Sequence, residues 1–142
     1  MEPRISIITL GVRDLARSCH FYQHGLGFPT SRRPEDGIIF FKTGGTCLAL
    51  YPYDELARDV GPAFCTPRAK FPGITLAHNV RTKNEVAEIL AKAAAAGGAI
   101  EKPAQNTSWG GHSGYFSDPD GYLWEVAYGA FDFDAQGQLI IT

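Results

Sequence analysis

The stretch SDPDGYLWEVAYG, residues 117–129, decides how the chain is read. Its first part has the composition of a tight turn. Pro119, Asp120 and Gly121 are the residue types that turn a chain between two strands. Its second part, Tyr122 to Tyr128, is short, aromatic and partly β-branched, as strands are. Side chains alternate across a strand, so Trp124 and Val126 share one side while Leu123, Glu125 and Ala127 share the other. Glu125 is the single charged residue of that run. Among apolar neighbours its carboxyl group stays protonated unless a hydrogen-bond donor or a ligand cation faces it.

Toward the N-terminus, residues 112–117 read as the strand that turns into 122–128, and a further strand is expected near 99–103. Ahead of them, Thr82 and Glu85 have the spacing of a capping box before KNEVAEILAKAAAAGG (83–98). Val86, Ile89, Leu90 and Ala93 form one apolar stripe on that helix, and Gly97-Gly98 stops it. GITLAHNV (73–80) precedes it as a strand.

The same order occurs in the first half. ISIITLGV (5–12) is a strand, and RDLARSCHFYQHGLGF (13–28) a helix with Asp14 as N-cap. Its apolar stripe is Leu15, Cys19, Tyr22 and Leu26, and Gly25 and Gly27 stop it. Strands are expected near 28–33, at 37–43 and at 46–52, the last two joined at Gly44-Gly45. Val12-Arg13 and Val80-Arg81 mark the same strand-to-helix step in each half.

The fold class is therefore α+β, with two β-α-β-β-β repeats in a single domain over 1–142. Unit one covers 4–52, a proline-rich linker with a short helix at 53–60 covers 53–72, unit two covers 73–129, and a tail covers 130–142. The tail is either a hairpin around Gln136-Gly137 or a strand that docks on a partner subunit. A chain of 142 residues suits one domain with a real core. A formal charge of -2 offers no broad attraction to nucleic acid or anionic lipid, so neither is an expected partner. Cys19, Cys47 and Cys65 lack any CxxC spacing, and reduced thiols and a cytoplasmic location are expected. The N-terminal apolar run is too short for a signal segment, and no run of about 18 apolar residues occurs.

Three stretches resemble the vicinal oxygen chelate superfamily, which contains glyoxalase, bleomycin-resistance proteins and extradiol dioxygenases. They are GVRDLARSCHFYQHGLGF (11–28), AAAAGGAIEKPAQ (93–105) and, most specific, GYFSDPDGYLWEV (114–126). The resemblance implies that each β-α-β-β-β unit curls into a half-barrel and that the paired half-barrels face each other around a cleft. It implies a homodimer as well, with Phe131 and Phe133 of the tail near the interface. Metal-dependent members hold a divalent ion with His, Gln or Glu on the first and last strand of each unit. Carried over by position, those sites fall on Ile7, Ala49 (or its neighbours Leu48 and Leu50), Thr75 and Glu125. Glu125 alone is a metal donor, whereas a divalent ion needs three or four donors from His, Cys, Asp or Glu, or a larger set of oxygens. No metal site and no cofactor are expected.

Other candidate groups carry weaker signals. His20 and His24 have metal-compatible spacing but fall on the polar side of their helix, alongside Arg13 and Arg17. His78 shares the helix-facing side of its strand with Ile74 and Val80, as a hydrogen-bonded core histidine would. His112 lies among Gly110, Gly111 and Gly114, where backbone approaches a ligand closely. Paired with Glu125 across neighbouring strands it would be a general base, and otherwise a pocket-lining residue.

The parity of the carried-over positions lines the expected cleft with Ala49, Tyr51, Thr75, Ala77, Asn79, Leu123 and Glu125. Trp109 and Tyr115 add to an aromatic wall suited to an organic ligand. Two functions remain open. One is metal-independent binding of a small aromatic or cationic molecule at Tyr51, Thr75, Asn79, Trp109, Tyr115, Leu123 and Glu125. The other is a lyase, isomerase or dioxygenase with Glu125 and His112 as catalytic residues and a divalent metal or bound water. A scaffold whose dimer surface is its function is a third, weaker reading.

Overall fold

The computed structural model describes residues 1, 3, 5–66 and 71–140. The expected start of unit one at Arg4, linker residues 67–70 with Pro67, and the end of the tail at 141–142 lie outside them. The chain divides into two compact units, Met1–Lys70 and Phe71–Thr142.

In unit one, β1 (Ile7–Val12) leads into α1 (Leu15–His20), which continues as a π-helical turn over Phe21–Leu26. Asp14 caps the helix, its carboxylate accepting from the Arg17 N–H at 2.9 Å. Gly27, at φ 85°, lets the chain leave in a left-handed conformation. The buried face is wider than the expected stripe. Cys19 and Tyr22 are joined inside by Ser18 and Phe21, while Leu15 and Leu26 are only half-buried. The Tyr22, Phe28 and Phe41 rings lie 5.7 to 6.0 Å apart. Strands β2 (Ile39–Phe41) and β3 (Cys47–Pro52) complete a three-stranded sheet of order β1-β3-β2, with β1 parallel to β3 and β2 antiparallel to it.

The strand expected near 28–33 does not form, and its residues show why. Pro29 and Pro34 have no N–H to give to a ladder. Two N–H groups between them are used locally, that of Arg32 by the Thr30 hydroxyl at 3.0 Å and that of Arg33 by the Asp36 carboxylate at 2.9 Å. The Pro29 carbonyl accepts the Lys42 N–H at 3.1 Å, tying the segment to the end of β2. The linker helix expected at 53–60 is α2 (Tyr53–Val60), which packs over β1 at Gly11; a Cβ there would meet Tyr53 Cδ2 at 3.0 Å.

Unit two is more regular. β4 (Thr75–Val80), α3 (Lys83–Ala95), β5 (Ala99–Asn106), β6 (His112–Ser117) and β7 (Leu123–Tyr128) follow in the expected order. The four strands lie in the order β4-β7-β6-β5, with β4 parallel to β7 and the rest antiparallel. The Thr82 N–H donates to Glu85 at 2.7 Å, so the capping box is present. At the other end of α3, Gly97 N–H bonds to Ala94 O at 3.1 Å and Gly98 N–H to Ala93 O at 2.9 Å, a Schellman pair. Val86, Leu90 and Ala93 press on one side of the sheet, where Phe116, Trp124 and Val126 are buried and the first two rings stack at 6.1 Å. His78 belongs to this side, yet β4 is the sheet's edge and the residue is exposed instead of enclosed in the core.

The turn that opened the reading closes around Asp118, which is 3% exposed. Its Oδ1 accepts from the N–H groups of Asp120 (2.9 Å) and Tyr122 (2.8 Å). The tail repeats this device: β8 (Asp132–Phe133) pairs with β9 (Leu139–Ile140), and Asp134 Oδ1 accepts from Gln136 (2.9 Å) and Gln138 (2.8 Å). Of the two forms expected for the tail, the hairpin is present. Phe131 and Phe133, expected near a dimer interface, pack within unit two. Phe131 lies 6.2 Å from Trp109, and the Arg81 guanidinium lies 4.7 Å over Phe133.

Candidate functional site

Backbone register sorts the candidate residues of unit two by face. Along β7, Leu123, Glu125 and Ala127 stand beside Thr75, Ala77 and Asn79 of β4 and beside Ser117, Tyr115 and Ser113 of β6. Paired residues in a ladder project from the same side. Thr75, Asn79, Tyr115, Leu123 and Glu125 therefore share the side of the sheet away from α3. Thr75 and Ala77 are exposed, Asn79, Leu123, Glu125 and Tyr115 half-buried, and Ala127 buried.

Glu125 has a polar neighbour on this face. The Tyr115 phenol stands directly across the β6–β7 ladder from the Glu125 carboxylate, within reach of its charge. Burial first, then the Glu125 charge and the hydrogen bond to it, hold the Tyr115 phenol above its usual range, because each of them disfavours a phenolate there. One strand further, Lys102 of β5 pairs with Tyr115, and its Nζ lies 5.9 Å from the ring centroid. A row Ala77–Glu125–Tyr115–Lys102 thus crosses all four strands. Lys102 was not legible as part of it, because β5 shifts register on both sides of Lys102, next to Pro103.

His112 is not brought to Glu125. It pairs with Tyr128, and alternation sends it to the α3 side with Gly114 and Phe116. Its Nδ1 lies 3.0 Å from Asn106 Oδ1. Trp109 sits at the end of the sheet, where its ring fills the space beside Gly111 and Gly129 and leaves no room for a Cβ at Gly111. It is 54% exposed and borders the open face instead of sitting beside Glu125. Tyr51 belongs to unit one, where it pairs with Gly11. His20 and His24 stand exposed with ring centroids 4.9 Å apart.

The metal positions can be tested by register. Ile7 pairs with Cys47, two residues before Ala49, and Thr75 pairs with Leu123, two residues before Glu125. The offset is the same in both units, which assigns Ala49 and excludes Leu48 and Leu50, whose side chains point the other way. A sec-butyl side chain and a methyl group in unit one do not bind a divalent metal, and neither do a hydroxyl and a single carboxylate in unit two. Among the described residues no three His, Cys, Asp or Glu side chains gather to hold an ion. The residues present do not fit the metal that the fold implies.

A cavity of about 590 Å³ lies elsewhere, in unit one, between the irregular segment at 29–32 and strands β2 and β3. Arg32, Phe40, Lys42 and Cys47 line it. No motif in the sequence announced it, since it exists because a strand does not. No helix among the described residues is long and apolar enough to cross a membrane.

Similarity to known proteins agrees with the element order. A crystallised glyoxalase-related enzyme from Fulvimarina pelagi is 37% identical, with 99% of each chain covered and a TM-score of 0.86. A lactoylglutathione lyase from Agrobacterium tumefaciens is 26% identical over 91% of this chain and 96% of its own, with a TM-score of 0.66. A glyoxalase/bleomycin resistance protein/dioxygenase family enzyme from Burkholderia phytofirmans has the same fold at 21% identity, covering 88% and 98% with a TM-score of 0.76. No curated protein matches the sequence. The family model for the glyoxalase/bleomycin resistance protein/dioxygenase superfamily matches residues 4–126, spanning both units, and the chain belongs to that superfamily.

Proposed function

We propose that the chain binds a small organic molecule bearing a basic or hydroxyl group on the open face of unit two, without a resident metal. Glu125 accepts the ligand's hydrogen bond and Tyr115 holds the carboxylate in place. The Tyr115–Glu125 pair is the observation that supports this reading. An ionised carboxylate offers about four acceptor sites, and Tyr115 takes one of them. Leu123 and Ala127 beside it, with Thr75, Ala77 and Asn79 on the next strand, give a ligand an apolar flank and polar groups to orient it. A phenol that donates to the carboxylate also restricts its rotamers, which lowers the ordering cost of binding.

The lyase, isomerase or dioxygenase reading draws on Glu125 as well, but loses its second catalytic residue because His112 belongs to the other face. Calorimetric titration with aromatic amines and alcohols tests the binding reading. Glu125→Gln should weaken the best binder at least about tenfold, the scale of a lost charge-assisted hydrogen bond. Tyr115→Phe should weaken it less, with the fold intact by circular dichroism. Unchanged affinity in Glu125→Gln would remove the basis of the proposal.

A further inference from the structure

We infer that the cavity of unit one is a second binding site and takes a small aromatic carboxylate, its ring against Phe40 and its carboxylate between Arg32 and Lys42. The site arises from the strand that 28–33 fails to form. Pro29, the Thr30 hydroxyl and the turn at 34–36 bow the chain away from β2 and leave about 590 Å³ behind it. That volume falls within the range of roughly 300–1,000 Å³ found for small-molecule sites.

The lining is specific in charge. Arg32 and Lys42 are the charged residues of the cavity and no acidic side chain lines it, although the chain as a whole carries -2. Neither cation has a carboxylate partner among the described residues. Thr30, Ser31 and Thr43 add hydroxyl groups. The Arg32 guanidinium carbon lies 5.9 Å from the centroid of the Phe40 ring, so the fork stands beside an aromatic surface. A planar guanidinium fork matches the two oxygens of a carboxylate, and an ammonium adds a second positive point. Pro29, Phe40 and Cys47 give the apolar remainder, which an inorganic anion leaves unused and an aromatic ring fills.

Titration of the purified chain with benzoate and 2-naphthoate at low salt tests this, with inorganic phosphate and methyl benzoate, which has neither charge nor hydroxyl group, as comparisons. Expected are dissociation constants near or below about 1 mM for the carboxylates, tighter for the larger ring, and no binding of methyl benzoate at that concentration. Arg32→Gln and Lys42→Met should each weaken the carboxylates severalfold and together at least about tenfold, and 0.5 M salt should weaken them too, since exposed charges are screened. Glu125→Gln should change nothing, which separates this site from the one on unit two. Equal affinity for phosphate, carboxylate binding indifferent to both cation variants, or no binding by either carboxylate would each overturn the inference. A Phe40→Leu variant with an unchanged preference for 2-naphthoate over benzoate would do the same.

Discussion

Unit one and unit two place Ala49 and Glu125 at the same register step, two residues beyond the partners of Ile7 and Thr75. In unit one that step carries a methyl group with no exposure, and the chain continues into α2, which packs on Gly11 of the same sheet. In unit two it carries a carboxylate, half-buried and paired across the ladder with Tyr115, and the residue at the place of Gly11 is Asn79. One scaffold has therefore been put to two uses. Unit two keeps its polar chemistry on the open face of a complete four-stranded sheet. Unit one carries none there, and places Arg32 and Lys42 at the sheet's margin beside the segment that forms no strand. A shared fold places side chains without prescribing what they do.

The difference in sheet regularity can be broken first at two glycines. A Cβ on Gly114 would meet Leu90 Cδ1 at 2.6 Å and the Lys102 carbonyl at 2.8 Å, one of them backbone. Gly114→Ala should cost about 3 kcal/mol, the upper end for overpacking, and displace β5 with Lys102. Gly11→Ala meets mainly the flexible edge of Tyr53 and should cost about 1 kcal/mol. Chemical denaturation of both variants checks the contrast, and equal losses would mean that β5 and α2 give way alike.

The two aspartate turns sharpen the account within unit two. Asp118→Ala removes a buried acceptor from two N–H groups and should cost about 2 kcal/mol. Asp134→Ala removes the same two bonds where water replaces them, and should cost about 1 kcal/mol or less. A larger loss from Asp134 would show that the tail hairpin is part of the core of unit two.

The smallest effect is a titration. The folded Tyr115 phenol loses its proton later than an unfolded one, whose reference value is 10.0. Its contribution to stability is thus fully present below about pH 10 and is lost as the pH rises through the folded value. Glu125→Gln removes the charge, leaving burial and a neutral acceptor, so the phenol should ionise earlier while still later than in the unfolded chain. Tyrosinate absorbance in wild type, Glu125→Gln and Tyr115→Phe reads this directly. A late component that survives in Tyr115→Phe would place the effect on another tyrosine.

Much of this was legible in the sequence wherever the signal is local. Asp14, Thr82 with Glu85, Gly97-Gly98 and the turn at Pro119, Asp120 and Gly121 each act within a few residues, and each element boundary fell where they put it. Alternation along β7 likewise set Glu125 apart from Trp124 and Val126. Matching one strand to the next depends on how the intervening turn closes. The Asp118 N–H bonds to Tyr122 O at 2.9 Å, so Ser117 must face Leu123, odd-numbered residues share a side, and His112 falls on the other. Lys102 was hidden by two register shifts beside Pro103. The segment at 28–33 was expected as a strand, but Pro29 and Pro34 give no N–H to a ladder and the Thr30 hydroxyl takes the N–H of Arg32.

Elemental analysis of tag-free protein, wild type beside Glu125→Ala, is the most direct test of a carboxylate that Tyr115 holds without an ion. The account predicts zinc, nickel, manganese and iron well below one per chain in both proteins, and no recovery after dialysis against each metal. One metal per wild-type chain, lost in Glu125→Ala, would contradict it.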